Sequence, residues 1–286
     1  AEQLQYVFSK LEEQVKSVFG GESEAAVSNF KNAIIDVSIE AGLAADELGK
    51  TALKIIGTFA TKNIDGKSGQ ALVESQIVAL GKLQRVTGLT AKELENDYSA
   101  ISLAFNATFE NIADKVVAIS DITGIDATEL GNFAGDIATV LTEAGFTLDE
   151  ALALGATSAQ SSGKSISAIS EAYGRVIPQL ATQTAELNKL AAENPQLNTP
   201  EFIDAVRLQD ASKILTIIGQ KYDTLSKSAQ VDITSLFGRR EAQSVLPGIK
   251  NQQGYQDALN AAENSTGEFQ DRFDKVMENL SSKLAK

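Results

Sequence analysis

Hydrophobic positions recur at steps of three and four along most of the chain, the spacing that gathers apolar side chains on one face of an α-helix. Residues 3–19 put Leu4, Val7 or Phe8, Leu11, Val15, Val18 and Phe19 on such a stripe, and Gly20-Gly21 ends it. A second helix begins near Ser23, carries Phe30, Ile34, Val37 and Ala41, and ends at Gly42. The pattern restarts at Leu48 with Leu53, Ile56 and Phe59. The stretch TKNIDGKSGQ, 61–70, loses the period and reads as a loop.

Further helices carry Leu72, Gln76, Leu80, Leu83 and Val86; then Leu94, Ile101 and Phe105; then Ile112, Val116 and Ile119; then Leu130, Phe133, Ile137 and Val140 or Leu141. A short helix around Glu150–Leu154 leads into SAQSSGKS, 158–165, which reads as a turn or loop. Residues 166–190 are helical again, with Pro178 starting, kinking or interrupting them because it has no N–H to donate. The clearest break is ENPQLNTP, 193–200. Beyond it the pattern gives helices near 201–219 and 220–237, and a last one from 255 to 285 that carries Leu259, Phe269, Phe273, Val276 or Met277, Leu280 and Leu284.

One local motif recurs: GLAADEL at 42–48, GLTAKEL at 88–94, GIDATEL at 124–130 and GFTLDEA at 145–151. Gly42, Gly88, Gly124 and Gly145 can each end a helix in the left-handed conformation. The apolar residue that follows can fold back on the helix just ended or staple the next one. Thr90, Asp126 and Thr147 then stand where a cap belongs, with Glu93, Glu129 and Glu150 three residues later, the spacing of a capping box. Ala44 cannot cap, so the first copy, with Glu47 and Leu48, is degenerate. Each cap is worth about 1 kcal/mol. The spacing between copies is uneven, which argues against a regular solenoid. The expected fold is therefore all-α, an irregular bundle of short helices joined by glycine turns with capped helix starts. Its expected divisions are N-terminal helices over 1–68, the first a candidate continuation of a longer helix, a central helical domain over 69–192, and a C-terminal helical segment over 193–286.

Composition narrows the chemistry. The chain has 286 residues and no Cys or His, which removes thiol and imidazole nucleophiles, a His base, disulfides, and zinc sites built on those ligands. Aromatic residues make up 6% and Trp is absent, a poor supply of stacking platforms. The net charge of −13 repels a phosphate backbone, and Arg239-Arg240 is the basic doublet that stands out, so specific nucleic-acid binding is not expected. No apolar run approaches the roughly 18–20 residues of a membrane span. The start at Ala1, within a helical pattern, reads as a processed product or an excised piece of a longer polypeptide.

The candidate chemical motifs have simpler explanations. Gly66-Lys67-Ser68 and Gly163-Lys164-Ser165 spell the end of a phosphate-binding loop, but Thr61 and Ser158 occupy the position of its first glycine. Asp121, Thr123, Asp126 and Glu129 suggest a calcium loop, yet Gly124 and Ile125 are out of place for one. The pairs Glu12-Glu13, Asp46-Glu47 and Asp149-Glu150 fit helix starts and polar faces better than acid–base work. These readings leave no catalytic residue, metal ligand or cofactor. Phe237, Gly238, Arg239 and Arg240 remain as a docking candidate, with the arginines placed at a helix C-terminus, where cations are favoured.

The ordered junctions also carry a resemblance. The pieces LVESQIVALGKLQRVTGLTAKEL (72–94) and VVAISDITGIDATELGNFAGDIATVLTEAGFTLDEALALGATSAQSSGKSISAISEAYGRVIPQL (116–180) resemble the helical region near the N-terminus of tail tape-measure proteins of long-tailed bacteriophages and prophages. ITSLFGRREAQSVLPGI (233–249) is similar to that family's phenylalanine–glycine segment. The chain is far shorter than a full tape measure and lacks its long heptad region. The resemblance implies a structural protein of tail assembly, in the virion tail and, during assembly, the host cytoplasm. It would be one helical domain of the protein that sets tail length and is ejected with the genome. Implied partners are tail tube, tail assembly chaperone and baseplate proteins, with host envelope components after ejection. The alternatives are a bacterial helical adaptor or effector acting through protein contacts and, more distantly, a carboxylate-based glycan hydrolase, which needs two acids across an aromatic-walled cleft.

Overall fold

The computed structural model describes residues 2–20 and 23–284. Gly21, paired above with Gly20 as a helix stop, and the side chain of Leu284 lie outside the described residues. The described chain is all-α apart from one short hairpin. Its helices are α1 (Glu2–Phe19), α2 (Ser23–Ala41), α3 (Ala45–Phe59), α4 (Gly69–Thr87), α5 (Ala91–Phe105), α6 (Phe109–Thr123), α7 (Ala127–Asp136), α8 (Ala138–Glu143), α9 (Leu148–Ser162), α10 (Ile166–Thr182), α11 (Thr184–Glu193), α12 (Pro200–Leu208), α13 (Ala211–Lys221), α14 (Lys227–Phe237), α15 (Arg239–Lys250), α16 (Gln252–Glu263) and α17 (Glu268–Leu284). Among the described residues no helix is long and apolar enough to cross a membrane.

The chain forms two compact units. The first comprises residues 1–117 and 266–286, the second 118–265, so one division falls inside α6 and the other just before α17. The punctuation at 193–200 separates α11 from α12 within the second unit.

In the first unit α2 packs on α4, α1 on α2 and α3, and α17 on α4. Phe59 and Tyr98 each meet the Phe109 ring edge to face, with centroids 5.5 and 5.8 Å away. Burying side chains of this size contributes roughly 1.5–3 kcal/mol each. Gln76 is fully buried with both ends of its amide satisfied: Nε2 donates to Ser102 Oγ at 3.3 Å, and Oε1 accepts from the Phe109 backbone at 2.8 Å. One polar side chain thus ties α4 to α5 and to the start of α6.

Part of the expected loop at 61–70 is a hairpin, β1 (Asn63–Ile64) against β2 (Lys67–Ser68), antiparallel with Ile64 opposite Lys67. Asp65 (φ 50°) and Gly66 (φ 73°) both take positive φ, as a tight two-residue hairpin turn requires. Ile64 is buried and anchors it.

The second unit is built around α9, which contacts α15, α16, α7 and α10. Every residue from Ala151 to Ala159 is buried. Expecting a turn from residue 158 was therefore wrong: α9 continues to Ser162, and only 163–165 lie outside helix. Serines suggest a turn when their hydroxyls compete for the backbone. Here Ser158 Oγ is 2.7 Å from the Tyr173 hydroxyl, and Ser162 Oγ donates back to the Ser158 carbonyl at 2.6 Å. The small side chains also let neighbours come close. A Cβ on Gly248 of α15 would lie 1.9 Å from Ser158 Oγ.

The helices beyond residue 200 are more broken than their hydrophobic pattern suggests. The segment 201–219 is two helices, because Gln209 adopts φ 57° and Asp210 caps α13 through the Lys213 N–H at 3.1 Å. Glutamine rarely takes that conformation, so its sequence gives no warning. The segment from 220 contains a 3-10 turn at Tyr222–Thr224 before α14. The helix expected over 255–285 is α16 and α17, parted at Gly267 (φ 90°). The pattern missed α15, which contains Pro247; Pro178 likewise lies inside α10.

Candidate functional site: helix junctions and an arginine corner

The junction glycines Gly42, Gly88, Gly124 and Gly145 have φ of 65°, 75°, 72° and 88°. Two closures occur. At Gly42 and Gly145 the next residue reaches back across the turn, Leu43 N–H to the Ser38 carbonyl (2.8 Å) and Phe146 N–H to that of Leu141 (3.0 Å). At Gly88 and Gly124 the glycine itself donates, to Gln84 and Ser120.

The following helix starts differ in the same residues that differ in sequence. Thr90 Oγ1 accepts from the Glu93 N–H (3.3 Å) while Glu93 Oε2 accepts from the Thr90 N–H (2.9 Å). Thr147 and Glu150 repeat this reciprocal box at 3.2 and 2.8 Å. Asp126 caps α7 by accepting from the Thr128 and Glu129 N–H groups. Ala44 makes no side-chain cap, and Glu47 sits in the first turn of α3 without one to answer. The hydroxyl and amide of Thr90 hold the Glu93 carboxyl below the usual carboxylate range. Leu48, Leu94, Leu130 and Ala151, the last residue of each motif, are buried.

The sequence reading missed one member of the junction. Thr87 and Thr123, each just before the glycine, donate to the carbonyls of Leu83 (2.8 Å) and Ile119 (2.7 Å). Each hydroxyl also accepts from the residue after the glycine, Leu89 (3.2 Å) or Ile125 (3.3 Å). Ser162 does the same at Gly163, donating to Ser158 and accepting from Lys164 (3.2 Å), and Ser165 then caps α10. Gly163-Lys164-Ser165 is thus a third junction of this kind, after those at Gly88 and Gly124, with a hydroxyl residue, a left-handed glycine and a cap in succession. The signal was available as Ser or Thr, Gly, any residue, then Ser, Thr or Asp. The other such tripeptide, Gly66-Lys67-Ser68, belongs to the hairpin.

Phe237, Gly238, Arg239 and Arg240 form a sharp corner between α14 and α15. Phe237 is 1% exposed, so it serves the core and offers no docking contact. Gly238 has φ 85° and ψ 135°, a conformation that only glycine adopts freely, and a Cβ there would lie 2.7 Å from Glu241 Oε2. The arginines follow the C-terminus of α14 but form the first turn of α15, where the helix dipole disfavours cations. They were expected only at a C-terminus because α15 was not foreseen. A carboxylate answers Arg240 but not Arg239. Arg240 lies 3.6 Å from Glu171, and Arg175 reaches Glu241 at 2.8 Å and Glu171 at 3.9 Å. The Glu241 carboxyl is held below its usual range first by its own backbone N–H and then by Arg175.

Among the grooves that adjoin these elements, two flank α14. One, of about 330 Å³, lies between α11 and α14 and is lined by Glu186, Glu193 and Asp232 with Lys189, without an aromatic wall. The other, of about 620 Å³, lies between α14 and α15 and is lined by Arg239 and Lys250 around apolar side chains. Among the described residues no group of three or more Asp or Glu side chains is placed to hold a metal ion. No family model, curated protein or solved structure matches the chain.

Proposed function

We propose that the chain is a helical domain of a phage tail tape measure, acting through protein contacts in tail assembly and travelling in the virion tail. The observation that carries this reading is the order of the junctions. Between Gly69 and Leu190 short helices follow one another, with left-handed glycines and caps at 88, 124, 145 and 163, and ITSLFGRREAQSVLPGI comes later, as in the family the sequence resembles. The use of carboxylates supports a structural role. Glu93, Asp126 and Glu150 cap helix starts, and Glu171 and Glu241 answer arginines. Under this proposal the partners are tube, chaperone or baseplate proteins made in the host cytoplasm, and the chain carries no catalytic centre.

The test is co-expression of this chain with each tail protein encoded beside its gene, followed by purification. Stoichiometric recovery with a tube, chaperone or baseplate protein is the expected result. Recovery with none of them, while the chain acts as an adaptor elsewhere, overturns the proposal.

A further inference from the structure

The groove between α14 and α15 has features that packing alone does not call for. Its floor includes Leu246 and Pro247, both half-buried, and at its edge Val231 is 63% exposed. Large apolar side chains left in water next to a concavity mark contact surfaces. Its charged members are Arg239 and Lys250, and no carboxylate lines it, although the chain as a whole carries −13. Lys250 is held by Asp223 at 2.7 Å and by the Tyr222 ring, whose centroid is 5.0 Å away. The Arg239 side chain is exposed and makes no hydrogen bond or ion pair among the described residues, whereas the adjacent Arg240 is paired with Glu171.

We infer that this groove docks an acidic amphipathic helix of a partner protein. Two helices meeting at a one-residue corner leave a trough that a third helix can fill, with apolar residues at steps of three and four set against Val231, Leu246 and Pro247. Carboxylates along the flank of that helix meet Arg239, whose guanidinium is not already engaged as Lys250 is by Asp223, which supplies register and selectivity. Charge complementarity also argues against a second copy as occupant. A two-fold pairing through this groove would bring two copies of its cationic lining together, with no carboxylate in the lining to answer them. The inference rests on the reading that the chain acts through protein contacts, and not on which assembly it serves.

The test uses the full chain and two synthetic helical peptides with the same leucine stripe, one flanked by glutamates and the other by lysines. Binding is followed by fluorescence anisotropy and located by hydrogen exchange. The glutamate peptide is expected to bind at least about tenfold more tightly than the lysine peptide and to weaken with added salt. Protection should fall on residues 231–250. Arg239→Glu should reduce or reverse the preference, and Val231→Asp should weaken both peptides about tenfold. Both side chains are exposed, so both variants should keep the wild-type helical signal and melting curve. Equal binding of the two peptides, no binding, or protection elsewhere overturns the inference. So does a wild-type dimer that Val231→Asp dissolves, which would make a second copy the occupant. Loss of tail-protein recovery with intact peptide selectivity would count against the tail reading alone.

Discussion

Asp114 on α6 accepts a hydrogen bond from the backbone N–H of Phe269 at 2.9 Å, and a second from that of Gly267 at 3.2 Å. A carboxylate far away in sequence thus caps the first turn of α17 and joins the C-terminal helix to the first unit. Phe269 and Phe273 are buried beside it, and Lys82 reaches both the Gln270 side chain (2.8 Å) and the Phe273 ring. Asp114→Ala should cost about 1 kcal/mol or more and speed hydrogen exchange through α17, with little change in α1–α3. Unchanged exchange in α17 would show that the two phenylalanines hold it alone.

The same carboxyl gives a pH dependence. Burial raises the Asp114 pKa above the ordinary 3.8, against the lowering effect of the two N–H donors. The folded state then binds more protons than the unfolded state in the window above 3.8. The contribution is therefore present below 3.8 and lost as pH rises through the raised value. Glu12, Glu93 and Glu241 act in the opposite sense. Their pKa values are lowered from 4.5, so their contribution is present above 4.5 and lost as pH falls through the folded values. Asp114→Asn keeps an acceptor without the charge. It should gain stability relative to wild type as pH rises above 3.8, in paired urea titrations across that window.

The glycines within helices should divide by what surrounds them. Cβ atoms would lie 2.0 Å from the Ile249 carbonyl at Gly219, 1.9 Å from Ser158 Oγ at Gly248 and 2.5 Å from the Phe133 ring at Gly155, but 3.6 Å from the nearest side chain at Gly174. Alanine at 219, 248 or 155 should destabilise by about 1–3 kcal/mol or more. Gly174→Ala should stabilise by about 0.5–1 kcal/mol through helix propensity. Thermal unfolding of the four variants gives the comparison, and a uniform loss would contradict the close packing around α9.

The degenerate first junction can be repaired. Ala44 already has extended backbone, φ −79° and ψ 115°, and Glu47 stands at the third helical position. Ala44→Thr should complete a capping box and add about 0.5–1 kcal/mol, while Thr147→Ala should lose a similar amount at α9. Melting temperatures that move in the same direction for both would show that the boxes do not set these helix starts.

The junctions at 88, 124 and 145 were legible because a glycine, a cap and a glutamate act over a few residues, and α1 because its apolar stripe is strong. The split at Gln209 was not legible, since a left-handed glutamine is imposed by its neighbours. Nor was the continuation of α9, whose serines are kept helical by Tyr173 and by close packing against α15. At the arginine corner, Phe237 and the arginines were visible as a group. Their separation into a core residue, a paired Arg240 and an outward Arg239 depended on α15, whose proline and polar surface hid it. The role of Asp114 rests on a contact 155 residues long, which no local pattern encodes.

The tail reading is tested most directly by quantitative mass spectrometry of purified particles made by the genome that encodes this chain. Peptides spanning residues 69–190 should occur at a fixed copy number per particle and should be depleted from particles triggered to release their DNA. Particles that lack those peptides while the chain is abundant in the producing cells would contradict it.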